Sequence, residues 1–175
     1  MKKLLAVFAV VLGFSTVSHA DLLVEPYLGY EMGTTKDQDG KIEGTQLGLR
    51  LGYASPVMFW AALDGTLGVS AKFKPDSGSD EDAKRTSVYG VVGIDLPILL
   101  RGWVGYGFLN EVDLDDTGKL KGTSYKVGVG FTGLPFISLN LEYLDEKFTE
   151  RGGVDLGTDM TNKSYVLSVS LPLEL

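Results

Sequence analysis

Eight stretches of the chain carry apolar residues at every second position, the spacing that lines one face of an extended strand. In the last of them Tyr165, Leu167, Val169, Leu171, Leu173 and Leu175 share one face, and Ser164, Val166, Ser168, Ser170, Pro172 and Glu174 share the other. Residues 22–30, 47–53, 59–73, 88–96, 100–108, 125–131 and 137–143 repeat the pattern. A period of 3.6 is sustained in none of them, so the pattern predicts eight strands and no helix. The connections alternate in kind. Polar segments at 33–44, 74–86, 110–123 and 145–162 read as long loops, and 54–58, 97–99 and 133–135 read as tight turns.

An even number of strands with alternating long and short connections is the plan of an antiparallel up-and-down transmembrane β-barrel. On that plan the short turns and both mature termini are periplasmic, and the polar loops are extracellular. The apolar runs approach the roughly 9 to 11 residues a tilted strand needs to cross a bilayer. Closure pairs every backbone group where lipid offers no partner. A soluble lipocalin-like barrel with the same strands would turn its apolar face inward. Two features point that face outward instead. Arg50, Asp64, Lys126 and Glu142 stand mid-strand on the opposite face, where lipid contact would be costly. Aromatics on the apolar face gather at strand ends: Tyr53, Phe59 and Phe131 by the short turns, and Tyr30, Phe73, Phe108, Tyr125, Tyr143 and Tyr165 by the long loops. Two aromatic girdles around an aliphatic band describe a lipid-facing surface.

The first twenty residues follow different rules. Lys2 and Lys3 precede an apolar run over 4–14, and Ser18-His19-Ala20 supplies small residues at the two positions a signal peptidase reads. The expectation is a signal peptide over 1–20, cleaved after Ala20, and a barrel domain over 21–175. The apolar run is short for a spanning helix, and no other segment is long and apolar enough to be one. Cleavage removes two lysines and no acid, so the mature chain is two charges more acidic than the formal −7 of the whole. That balance makes a nucleic acid an improbable partner. With 0 cysteines, disulfides, thiolate catalysis and lipid attachment through cysteine are excluded.

On the export signal, the strand and loop plan and the alternating closing strand, the chain resembles the small eight-stranded outer-membrane barrel families that include OmpX-like, OmpA-like and OmpW-like proteins. The resemblance implies a monomer in the bacterial outer membrane, with membrane lipid, lipopolysaccharide and the barrel-assembly machinery as partners. It implies a non-enzymatic structural or surface-interaction role through four acidic loops. The alternative is a narrow channel or transporter for ions or small solutes, hydrophobic ones included. Such families usually end in an aromatic residue, commonly Phe, which the assembly machinery is thought to read; Leu175 departs from that.

Hairpin arithmetic suggests an ion-pair network in the lumen. Folding about Val57 sets Arg50 opposite Asp64, folding about Ile98 sets Asp95 opposite Arg101, and folding about Leu134 sets Lys126 opposite Glu142, with Glu25 nearby. Gly48, Gly105, Gly107, Gly128 and Gly130 on the same face leave room beside Tyr27, Trp60, Tyr89 and Trp103. An eight-stranded barrel is just wide enough for side chains to fill, so a structural plug is the first reading and a polar ion path the second. Catalysis is not expected, because barrel enzymes generally depend on histidine and the sole histidine, His19, leaves with the signal peptide. No cofactor or metal site is expected. Asp37 and Asp39 before Gly40, and Asp113, Asp115 and Asp116 before Gly118, lack a closing bidentate Glu, since Gln46 and Ser124 stand there. Those acids read as solvated loop charge, with divalent ions beside lipopolysaccharide phosphates as the other possibility.

Overall fold

The computed structural model describes residues 21–35, 40–56, 58–75, 81–114 and 118–175. The predicted signal peptide with His19, the turn residue Val57, and Asp37, Asp39, Asp115 and Asp116 lie outside the described residues. Eight long strands follow one another: β1 Asp21–Thr35, β2 Gly40–Ala54, β3 Phe59–Pro75, β4 Glu81–Leu96, β5 Leu100–Leu114, β6 Gly118–Phe131, β7 Ser138–Arg151 and β8 Val154–Ser170. A two-residue strand, β9 Leu173–Glu174, completes the chain. Each long strand pairs antiparallel with the next, and β1 pairs with both β2 and β8, so the sheet closes on itself.

Closure inverts the usual burial. Leu28, Leu47, Leu63, Val92, Val127, Leu141 and Leu167 point out of the barrel and are exposed, while Tyr27, Trp60, Tyr89, Trp103 and the mid-strand charges are buried inside. Each of these four aromatics lies across from a glycine in the strand register: Tyr27 on Gly48, Trp60 on Gly93, Tyr89 on Gly107 and Trp103 on Gly128. A Cβ at Gly48 or Gly128 would overlap the facing ring, so these glycines make room for the aromatic filling.

Three expectations are corrected. The polar segments read as long loops are mostly strand among the described residues, and β7 and β8 are joined by the Gly152–Gly153 turn. Beyond the lipid a strand's outer face is free to be polar, so the hydrophobic alternation fades while backbone pairing continues. The closing strand does not run unbroken to the C-terminus. It stops at Ser170, because Pro172 has no N–H to give the ladder; the Leu171 amide then bonds the Pro26 carbonyl, and β9 resumes pairing at Leu23 and Val24. Finally, Lys126 faces Leu144 rather than Glu142, which faces Gly128. The β6–β7 turn spans 132–137, longer than expected, and its centre moves from Leu134 to Pro135.

Candidate functional site

The alternation that sends leucines outward sends every other residue of each strand into the lumen, where charge and aromatic rings collect in layers. Near the short turns, Arg50 faces both Glu25 and Asp64 in the strand register. Its guanidinium reaches three carboxylates: Nη1 to Glu25 Oε1 at 3.2 Å, Nε to Asp64 Oδ2 at 3.1 Å and Nη2 to Glu142 Oε1 at 2.7 Å. The same group lies over the rings of Trp103 and Tyr27, 4.6 and 4.9 Å from their centroids. Lys126 reaches across the lumen to Asp64 Oδ2 at 2.8 Å, touches Glu142 Oε1 at 3.7 Å and sits over the Tyr89 ring. Arg101 faces Asp95 in register and joins it to Glu25, with N···O distances of 3.1 and 3.0 Å.

All seven predicted lumen charges therefore come together in one cluster. Their side chains are 0 to 3% exposed, except Asp95 at 39%, which looks out of the short-turn end. Four carboxylates are held by three cations. The Tyr27 hydroxyl donates to Asp64 Oδ1 at 2.7 Å, and the Trp103 indole N–H donates to Glu142 Oε1 at 2.8 Å, which spreads the remaining negative charge over neutral donors.

A second cluster lies toward the opposite end, built from residues the sequence reading had assigned to loops or left unassigned. Arg85 binds both oxygens of Glu31 at 2.5 and 2.7 Å and reaches Glu146 through Nη2. Asn110 and Asn162 donate to the two oxygens of Glu146 at 2.8 and 2.7 Å, and Ser87 donates to Asn110 at 2.8 Å. The available signal was parity: Glu31 follows Glu25, and Glu146 follows Glu142, at even spacing on the inward face. Between the clusters lies an apolar layer that includes Tyr89, Val91, Leu144 and Val166. Beyond the second, Val112, Leu120 and Phe148 cap the lumen with Leu156 and Met160 packed against them.

The predicted girdle residues Tyr30, Tyr53, Phe59, Phe108, Tyr125, Phe131 and Tyr165 are exposed on the outer wall, and half-buried Tyr143 packs against Tyr165 with the rings tilted by 54° and their centroids 5.4 Å apart. The Phe73 side chain lies outside the described set. Gln46 and Ser124, at the closing positions of the two acidic stretches, are buried in the lumen. Among the described residues no group of three His, Cys, Asp or Glu side chains is arranged to hold a metal ion.

The family whose sequence profile matches is the outer membrane protein beta-barrel domain, over residues 6–171. No curated protein matches the chain significantly in sequence. Among solved structures it is similar to neisserial surface protein A, NspA, with a TM-score of 0.57 and 15% identity, covering 88% of this chain and 99% of that one. Ail, the attachment invasion locus protein of Yersinia pestis, aligns with a TM-score of 0.54 and 14% identity, over 87% of this chain and 99% of its own. The outer membrane enzyme PagL aligns with a TM-score of 0.52 and 15% identity, over 84% and 99%. At these identities the likeness is one of fold.

Proposed function

The chain belongs to the outer membrane protein beta-barrel domain family, and from that premise we propose that it is a non-enzymatic outer-membrane barrel, closed along its axis, with a structural or surface-interaction role exercised at the end opposite the short turns. In this reading both termini and the short turns are periplasmic, and lipopolysaccharide surrounds the opposite, charged end. The fold by itself does not choose a function, since it is shared by a surface protein, an attachment protein and an enzyme. The residues favour the first two kinds. The chain has no histidine beyond His19, and every lumen carboxylate named above is engaged by a cation or a neutral donor, all but Asp95 being buried.

The observation that carries the reading is the filling of the lumen: two charge clusters, an apolar layer between them and an apolar cap leave the axis occupied by side chains. Planar-bilayer recording tests it. The intact protein should give no steady conductance; a steady conductance altered by Glu142→Gln would overturn the closed reading.

One observation favours a narrow polar path. Of the buried polar atoms without a hydrogen-bond partner among the described residues, Trp60 Nε1, Asp95 Oδ1 and Arg101 Nε lie together on β3, β4 and β5, and the others, Ser138 Oγ, Asn140 Oδ1, Glu142 Oε2, Asn162 Oδ1, Ser164 Oγ and Thr35 Oγ1, stand on the adjoining β7, β8 and β1 wall. Buried polar atoms of this kind are ordinarily completed by water. Proton or water permeation into liposomes, in the absence of ion conductance, would support this second reading.

A further inference from the structure

The outer wall continues past the ends of the strands. At the short-turn end Met58, Ile98, Leu99 and Phe136 are 45, 65, 52 and 85% exposed, although nothing in a turn requires apolar residues. The turn sequences over 55–58, 97–99 and 132–137 contain no charged residue. Met58, Leu99 and Phe136, one in each turn, hold φ values of 71, 61 and 66°. A bulky residue is strained in that left-handed region and glycine is not. The side chains at these three places are therefore retained against the backbone preference.

On the β6–β7 side the height of the apolar band gives a reason. On β6 the outward apolar run from Tyr125 to Phe131 spans about 20 Å along the strand, or roughly 15 Å along the barrel axis at a tilt near 40°. The hydrocarbon-facing band of such barrels is about 25 Å tall. It does not extend upward here. Immediately beyond the Tyr143–Tyr165 pair, Asp145 and Lys163 point outward, 44 and 46% exposed and 3.8 Å apart. On β6 and β7 the missing height lies below Phe131, at the turns, whereas on β3 the outward apolar run from Phe59 to Val69 spans about 33 Å along the strand, or roughly 25 Å along the axis, and already fills the band.

Backbone hydrogen bonding fits the same placement. The Met58 carbonyl accepts from the Asp95 amide at 2.7 Å, and the Leu99 carbonyl accepts from the Thr132 amide at 2.8 Å, so two of the left-handed residues tie their turns to the next hairpin. Polar backbone groups that enter lipid must be satisfied in this way.

We propose that the three short turns form an apolar rim inserted into the lipid leaflet beside them, as a continuation of the lipid-facing wall. The rim sets the depth of the barrel and is occupied by lipid, not by a second copy of the chain or by a soluble partner. The inference rests on the membrane placement of the barrel and holds whether or not the lumen conducts.

The chain has no cysteine, so a single introduced thiol gives a unique site for a nitroxide label. Phe136→Cys and Ile98→Cys report on two separate turns, and Lys121→Cys on the charged end. Each labelled protein is folded into phosphatidylcholine–phosphatidylglycerol vesicles, and its collisions with oxygen and with a water-soluble nickel chelate are measured by spin resonance. The rim labels are expected to collide several-fold more with oxygen than with the chelate, and the label at 121 to show the reverse. Chelate access at 136 and 98 equal to that at 121 overturns the proposal. So does spin–spin broadening that grows with protein-to-lipid ratio, which would place a second copy on the rim. Misfolding of one rim variant leaves the other turn to decide.

Discussion

Replacing Arg50 by methionine keeps most of the side-chain volume and removes the charge on which the lower cluster converges. Glu25 would keep Arg101 at 3.0 Å and Asp64 would keep Lys126 at 2.8 Å. Glu142 would be left with the Trp103 N–H and with Lys126 at 3.7 Å. Four carboxylates would then share two cations inside a barrel where most of them have no access to water. Breaking a buried ion pair by removing one partner costs about 3 to 5 kcal/mol. At about 1.4 kcal/mol per factor of ten, that lowers the folded-to-unfolded ratio by roughly three orders of magnitude. Urea titration of the protein in vesicles, followed by tryptophan emission, reads the change directly. With a slope of about 2 kcal/mol per M, the midpoint should fall by about 2 M. Adding Glu142→Gln removes one of the stranded charges, so the double variant should be more stable than the sum of the singles predicts, by about 0.5 to 3 kcal/mol. A single-variant loss below about 0.5 kcal/mol, the range of an ordinary surface change, together with additivity in the double variant, would refute the reasoning, because it would mean that the cluster is hydrated and its charges act independently.

The remaining predictions concern other parts of the barrel. Gly48→Leu, which meets the Tyr27 ring, should prevent folding, whereas Gly65→Leu, whose Cβ meets nothing within 4 Å on the outer wall, should leave stability within about 0.5 kcal/mol in urea titration. Arg85→Met should speed amide exchange at the far ends of β1 and β7, where Glu31 and Glu146 lose their cation, and leave exchange near the short turns unchanged. Truncation after Ser170 removes β9 and the paired Leu22–Leu175 backbone bonds, and the product should fail to acquire protease resistance on folding. Lys119 and Lys121 donate to Glu111 and hold its carboxyl below the usual glutamate range. Their tie between β5 and β6 should therefore persist as pH falls through the ordinary glutamate value, about 4.3, and loosen only at lower pH, as followed by NMR chemical shifts of Glu111.

What could be read from the chain depended on which surroundings each strand face meets. Where lipid lies outside, Leu, Val and Ile alternate with smaller or polar residues, and the strands at 22–30, 88–96 and 100–108 stand out by hydrophobicity alone. Past the lipid the outward residues become Lys, Asp, Glu and Thr, and only the inward positions keep a pattern. Glu142, Leu144, Glu146 and Phe148 are one unbroken inward series, of which a hydrophobic reading sees the first half. In β5 the register shifts between Gly107 and Asn110, and Phe108 and Leu109 both point outward. Asn110 and Val112 reach the lumen only because of that bulge, which alternation alone does not reveal. Hairpin arithmetic fares similarly. It finds Arg50 with Asp64 and Asp95 with Arg101, which are neighbours across tight turns. It misses Lys126 with Asp64, a contact between strands that meet only because the sheet curves shut.

The charge clusters and the apolar layer between them divide the work of filling the lumen from the work of interrupting its polar wall. Arginine and glutamate fill the cross-section, but ionic groups attract water, and a wall of Ser138, Asn140, Ser164, Ser168 and Ser170 runs beside them. A charged plug alone would therefore sit next to a hydrated seam. The interruption in that seam is apolar. Val166 faces Glu142 across β7 and β8, and Leu144 faces Ser164. On the other side Gly29 presses so close that a Cβ there would stand 2.9 Å from Val166 Cγ1. The polar residues of the seam thus fall into a lower group at Ser138–Asn140 and an upper one at Ser164–Asn162, with Val166 and Leu144 beside the break. On the closed reading proposed above, it is the apolar layer, rather than the ion pairs, that interrupts this polar seam.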